Sequence, residues 1–286
     1  MRVATTTGDG RARDGRRPCT VVSGAQDGGA ARRQTPLSIP ESDPRACSTG
    51  ARINALARVP FFAGLDHGAL HRVDGRAGMQ GVDAGEAVYL AGQHAERLYV
   101  VATGVVKLTS ATSDGSEALL DVLGPGSFLG TLAALGADTY AEDAWALTPG
   151  CLLSFGAAQF EAVLDEQPAI ARRALTAVGA RLRAAQERIR RSAAASAPAR
   201  IASVLLLLAE QLGVARDGRI LIDVPLARED LASLAGCASE TVSRSLADWR
   251  RSGVVDTGRR WVALRQPAVL AEIAGVETTL ELPAEG

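Results

Sequence analysis

From residue 51 to about 167, the apolar residues come in short runs broken by turn residues. The runs are Ala87–Leu90, Leu98–Ala102, Val105–Ala111, Glu117–Leu123, Asp143–Leu147 and Cys151–Phe155. The breaks fall at Asp83-Ala84-Gly85, Gly92, Gly104, Asp114-Gly115, Gly124-Pro125-Gly126 and Gly130. Asp-Gly between two alternating runs is a hairpin signal, because both central positions of the tight turn favour positive φ. Many short strands at near-regular spacing predict an all-β barrel or jelly roll.

Past Pro168 the period changes. Ala171, Leu175, Val178, Leu182, Ala185 and Ile189 follow at spacings of 4 and 3 residues, with arginines on the other faces. Such a narrow seam predicts a helix that pairs with one partner helix. The partner is a second copy of the chain, the chain's own β-domain, or both on different faces, and a two-fold homodimer is the expectation. Pro198 is incompatible with one unbroken helix through it, so 192–198 reads as a hinge. A strongly apolar helix over Arg200–Leu212 and an extended stretch over Arg219–Val224 follow.

The next segment is the most informative. Arg228–Ala235 and Ser239–Arg251 read as helices joined by a tight turn at Gly236-Cys237. Leu231, Ala232 and Ala235 can meet Val242, Leu246 and Trp249, which lie on one face of the second helix. This is a helix-turn-helix. The run from Gly253 to Leu264 then reads as a hairpin with Arg259 and Arg260 at its tip, a wing.

The 286 residues suit about two domains. Lys+Arg 31 against Asp+Glu 32 leaves a net charge of -1, which excludes nucleic-acid binding by bulk charge but not through a local reading surface. The longest apolar run, Val204 to Ala209, is too short for a membrane span, and the N-terminus has no apolar signal core. Residues 1–50 are rich in Gly, Arg, Ser, Thr and Pro, with no hydrophobic period, and are expected to be a disordered tail. A basic arm, a solvated tail and a misassigned start codon are the alternative readings of that segment. Cys19, Cys47, Cys151 and Cys237 are widely spaced, so neither structural zinc nor a disulfide framework is expected, and the compartment expected is the cytoplasm.

With the apolar face of the second helix turned inward, Ser239, Glu240, Ser243 and Arg244 share the outer face near its start. A recognition helix reaches base edges from those positions. Arg can pair with guanine O6/N7 and Glu can accept from cytosine N4. The competing reading is a surface ion pair between Glu240 and Arg244 at i and i+4. Arg228, Thr241, Arg259 and Arg260 are candidate phosphate contacts, which position without specifying. No glycine-rich nucleotide loop, nucleophile elbow or His/carboxylate metal motif is present, so an enzyme is not expected.

Over roughly residues 53 to 275 the chain resembles the Crp/Fnr family of bacterial transcription regulators. The run from Arg58 to Leu65 looks like the family's entry helix and turn. Asp83 to Glu86, Gly92, Leu98 to Gly104 and Gly124 to Gly130 look like its cyclic-nucleotide-binding β-roll. The helix over 168–191 and the run Gly236 to Arg244, with its Glu-Thr-Val-Ser-Arg, complete it. The resemblance implies an α+β chain: an N-terminal jelly-roll β-domain, a long dimerisation helix and a C-terminal winged helix-turn-helix. The expected organisation is a tail over 1–50, the β-roll over 51–167, the dimerisation helix and hinge over 168–195, the DNA-binding domain over 196–275 and a tail over 276–286. It also implies a homodimer on a palindromic promoter site in double-stranded DNA, controlled by an effector, with RNA polymerase as a further partner. Glu240, Ser243 and Arg244 match the base-reading positions of the Fnr-like branch. Ser239 replaces the arginine of the catabolite-activator branch, so the half-site expected is closer to TTGAT than to TGTGA.

The effector side departs from the family. Its candidate pocket residues are Gly130, Thr131, Leu132, Glu142, Asp143 and Ala185. Thr131, Glu142 and Asp143 stand where cAMP-binding members have a Glu and an Arg-Ser pair, and Ala185 stands at the helix position that would touch adenine. Two carboxylates facing a phosphodiester oppose its binding, with no Arg or Lys between Leu108 and Leu153 to compensate. cAMP is therefore not the expected effector. The iron–sulfur cluster of the Fnr branch needs an N-terminal cysteine cluster that this chain lacks. Haem stays open, with His67, His71 or His94 as ligands; His67 and His71 share a helix face. The competing function class is a ligand-binding regulatory module of an enzyme or channel using the same β-roll, which the helix-turn-helix argues against.

Overall fold

The computed structural model describes residues 44–112, 115, 117–132 and 138–280; in the long helix, side chains are described outside 181, 184 and 187–194. Two helices, α1 (Thr49–Arg58) and α2 (His67–Arg76), open the fold. Each is capped by the side chain of the preceding residue, Ser48 Oγ accepting from Ala51 N and Asp66 Oδ1 from Ala69 N. The guanidinium of Arg52 donates two bonds to the Asp74 carboxylate, at 2.7 and 2.9 Å, which fastens α1 to α2.

Eight strands follow: β1 (Gly78–Val82), β2 (Ala87–Tyr89), β3 (Arg97–Thr103), β4 (Val106–Ala111), β5 (Glu117–Leu123), β6 (Phe128–Gly130), β7 (Asp143–Ala146) and β8 (Gly150–Gly156). They form two antiparallel four-stranded sheets, in the orders β1-β8-β3-β6 and β2-β7-β4-β5. Two antiparallel sheets of short strands are the jelly roll rather than a closed barrel. The β4–β5 hairpin is present, although Asp114 at its turn lies outside the described residues. Tyr99 and Val101 of β3 face one core together with Val106, Leu108 and Leu152. Leu98 and Val100 face another with Phe62, Phe155 and Phe160. Because both faces of β3 are covered, its sequence reads as an unbroken apolar run rather than an alternation.

The expectation of unbonded cysteines is overturned. Cys47 and Cys151 form a disulfide with a Cα–Cα distance of 5.7 Å, close to the usual span. The fold supplies the proximity that the sequence spacing hides: Cys151 lies on β8, and the 3-10 turn Pro44–Ala46 packs against β1 and β8. Residues 44–50, assigned to the tail on composition, are folded for the same reason: they form that turn, the bonded Cys47 and the start of α1.

Beyond the β-roll, α3 (Ala157–Glu166) leads to α4 (Ala169–Ala194). Ser196 caps α5 (Ala197–Leu212), and Pro198 sits in the first turn, where its missing N–H costs nothing. A second, smaller fold unit contains β9 (Val214–Arg216), β10 (Arg219–Ile222), α6 (Arg228–Ala235), α7 (Ser239–Arg251), β11 (Val255–Gly258), β12 (Trp261–Leu264) and α8 (Pro267–Ala274). Its sheet order is β11-β12-β10-β9. One apolar cluster joins α5, α6, α7, α8 and this sheet, and it extends to Leu119 and Val122 of β5.

Candidate nucleic-acid interface and effector pocket

The helix-turn-helix falls where the apolar pattern puts it. Gly236 ends α6 in the left-handed region, φ 59°, and the Cys237 N–H reaches back to Ala232 O at 3.0 Å. Val242, Leu246 and Trp249 of α7 are buried against α5 and α6. That burial fixes the opposite face outward. Glu240, Ser243 and Arg244 are exposed there, and Ser239 and Thr241 are half-buried. No ion pair joins Glu240 to Arg244. Both side chains are therefore free for an outside partner.

Sequence reasoning missed the residue that holds the turn. Arg200 of α5 donates to Ala235 O at 2.7 Å and Gly236 O at 3.0 Å, which are C-terminal carbonyls of α6. It also donates to Ala195 O at 2.7 Å, just past the end of α4. One guanidinium thus ties the long helix to the helix-turn-helix turn while satisfying carbonyls at two helix ends. The only available signal was an arginine at the start of an apolar helix, too common to single out.

The wing is a two-residue hairpin with Arg259 and Arg260 exposed at its tip. Arg260 takes φ 69°, unusual for a non-glycine residue. The Trp261 indole lies across Gly258, where any Cβ would collide with it. Arg228, at the start of α6, is half-buried, and burial pushes its guanidinium pKa down.

Inside the β-roll, three tyrosines converge on Gly130. The Tyr89 and Tyr140 rings stack with centroids 3.9 Å apart, and Tyr99 stacks on Tyr89 at 5.9 Å. Gly130 has φ 75°, and a Cβ there would come within 2.8 Å of Arg97 O and 3.4 Å of the Tyr99 ring. The Tyr89 hydroxyl donates to Glu142 Oε1 at 3.0 Å. The Tyr140 hydroxyl donates to Arg97 O at 2.9 Å and accepts from Arg97 N at 3.0 Å. Burial pushes the Tyr99 hydroxyl up to about 12 and Tyr89 higher still, the latter helped by the Glu142 charge.

The candidate pocket residues therefore divide. Gly130 and Glu142 come together around Tyr89. The Asp143 carboxylate instead accepts from Ala91 N at 2.7 Å, so the expected pair of facing carboxylates is split between two partners. Leu132 is buried in the cluster on the far side of β3, Thr131 is half-buried, and Ala185 is exposed on α4. The tyrosines were not among the expected pocket residues, because scattered Tyr among apolar runs reads as ordinary core. His67 and His71 lie exposed on α2 with rings edge to face at 4.5 Å, and His94 sits in a bridge opposite Thr139.

Along α4, Leu175, Val178 and Leu182 are 75%, 56% and 59% exposed, and Ala171 and Ala185 are exposed beside them. The Ile189 side chain lies outside those described. On another face of α4, Ile170 and Ala174 pack against the chain's own β-domain.

The chain matches the cyclic nucleotide-binding domain over residues 80–167 and the Crp-like helix-turn-helix domain over 199–273. It is 28% identical over 217 residues to the CRP-like cAMP-activated global transcriptional regulator of Mycobacterium tuberculosis, covering 75% of this chain and 93% of that protein. It is 31% identical over 205 residues to the transcriptional activator protein FnrL of Cereibacter sphaeroides, covering 70% and 82%. The fold resembles FixK2 from Bradyrhizobium japonicum with a TM-score of 0.62 at 24% identity, over 71% of this chain and 99% of that one. No helix among the described residues is long and apolar enough to cross a membrane. A β-roll followed by a long helix and a winged helix-turn-helix, matched by relatives across most of their length, places this chain in the Crp/Fnr family of transcription regulators.

Proposed function

We propose that the protein is a cytoplasmic regulator that binds a palindromic promoter site as a homodimer and reads it with Ser239, Glu240, Ser243 and Arg244. The observation that carries this reading is the outer face of α7, where Glu240, Ser243 and Arg244 are exposed and Glu240 and Arg244 form no ion pair with each other. Arg228, Thr241, Arg259 and Arg260 hold the DNA backbone and set the register. The exposed stripe on α4 pairs with the same stripe of a second copy, which puts two recognition helices about one helical turn, or a multiple of it, apart on one face of the duplex. RNA polymerase is the partner such a regulator contacts next.

The effector is not cAMP. A cyclic phosphodiester needs a cation and hydroxyl donors. Here the Glu142 carboxylate and three stacked tyrosines converge beside Gly130, and the Tyr89 hydroxyl is already engaged. The M. tuberculosis relative is named as cAMP-activated, so the absence of a cAMP response in this chain is the point the titration must test.

The test is selection of binding sites from random double-stranded DNA. An inverted repeat with TTGAT-like halves is expected, and its affinity should not change with added cAMP. Arg244→Ala should cost about 1–3 kcal/mol per half-site and relax preference at one guanine. Arg259→Ala should weaken all sequences alike and lower the salt slope by about one. A motif unchanged by Arg244→Ala would show that α7 is not the reading element. Affinity that rises with micromolar cAMP would overturn the effector reading.

A further inference from the structure

The DNA-binding unit contains a cavity of about 270 Å³ between α5, the start of α6 and the wing. Its floor is apolar, built from Leu205, Leu208, Ile222 and Leu231, all of them buried. Trp261, held flat by Gly258, forms one wall. The mouth is cationic: Arg228, Arg259 and Arg260 all line it. None of the three forms an ion pair among the described residues; burial pushes the Arg228 guanidinium down, and the neighbouring Glu229 charge offsets part of that. Half-buried cations normally find a carboxylate. Here Arg228 is half-buried with none, and the exposed Arg259 and Arg260 line the same apolar chamber.

From this juxtaposition we infer a second ligand site, distinct from the β-roll, for a small organic anion: a flat apolar body on the Leu–Trp261 floor, with its carboxylate on Arg228 and the wing arginines. The volume sits at the low end of small-molecule pockets, so the body is no larger than a fused bicyclic ring. The guanidinium fork suits a carboxylate, and the low-dielectric floor strengthens that contact. The ligand's carboxylate takes up the same arginines assigned above to DNA phosphates. Occupancy therefore opposes DNA binding, and this part of the inference rests on the proposed phosphate contacts.

The two readings separate experimentally. The full chain is titrated by calorimetry, without DNA, with 2-naphthoate and with the uncharged 2-naphthamide as its near-isostere. One naphthoate should bind per chain, at least tenfold more tightly than the amide. Arg228→Gln should remove that preference and Arg228→Lys should restore part of it, while thermal unfolding of both variants stays close to wild type. Equal binding of acid and amide, or no binding of either, would overturn the site. DNA affinity is then measured with and without saturating naphthoate, and a loss of fivefold or more is expected in the wild type but not in Arg228→Gln. Naphthoate binding with unchanged DNA affinity would overturn the antagonism. DNA affinity of the ligand-free protein that is unaffected by Arg228→Gln would instead overturn the phosphate contact while leaving the cavity's selectivity intact.

Discussion

At the scale of single residues, buried polar groups define the β-roll interior. Tyr89 and Tyr99 are held in the neutral form, chiefly by desolvation. A group whose folded pKa is raised contributes stability that is full below its unfolded value, about 10 for tyrosine, and lost as pH rises through the folded value. The molecule should therefore become less stable above about pH 10. In an alkaline titration followed at 295 nm, the phenolates of these two residues should develop only near or above pH 12, together with loss of far-UV circular dichroism. Their appearance near pH 10 in a protein with intact dichroism would show that the tyrosine cluster is open to water. The disulfide also acts at this scale. It joins residues 104 apart, and constraining a loop of that length in the unfolded chain is worth about 2–5 kcal/mol. Cys151→Ser should lower the unfolding free energy by that amount in urea melts. A change below about 1 kcal/mol would mean the bond is absent in solution.

At the scale of elements, α4 carries the clearest prediction. Its exposed Leu175, Val178 and Leu182 offer more apolar side chain to water than a solitary helix should. Val178→Glu together with Leu182→Glu should give monomers in analytical ultracentrifugation, with DNA affinity falling sharply. Continued sedimentation as a dimer would place the interface elsewhere. This seam was legible in the sequence because a 4–3 spacing survives any tertiary context. The helix-turn-helix was legible for the same reason: α6 and α7 begin and end at the residues that their apolar faces and Gly236 mark. Strands β2 to β5, β7 and β8 were legible to within two residues at their ends. The short β1, β6 and β9 were not, because three to five residues interrupted by glycine or arginine are too few to show a period. The bonded cysteines and the tyrosine cluster were illegible for a different cause. Both depend on tertiary packing, of the turn before Cys47 on β8 and of the segment holding Tyr140 beside β2, and no local pattern reports that packing.

At the scale of the whole molecule, the joint between the β-roll and the reading head is made of a few specific contacts. Ser233 of α6 accepts from Leu119 N at 2.7 Å and donates to Leu119 O at 3.2 Å, so one hydroxyl substitutes for a strand partner on β5. Leu119 and Val122 then continue the apolar cluster that the helices of the reading head share. Losing the hydroxyl would leave two peptide groups short of partners in a largely dry joint. The reading head is therefore not a detachable module. A chimaera that fused this β-roll to a relative's DNA-binding half would inherit an unmatched edge at β5 unless the graft carried a hydroxyl at position 233. Within a lineage, substitutions at 119, 122 and 233 should be accepted together or not at all, so this joint ties the inheritance of the β-roll half to that of the helix-turn-helix half.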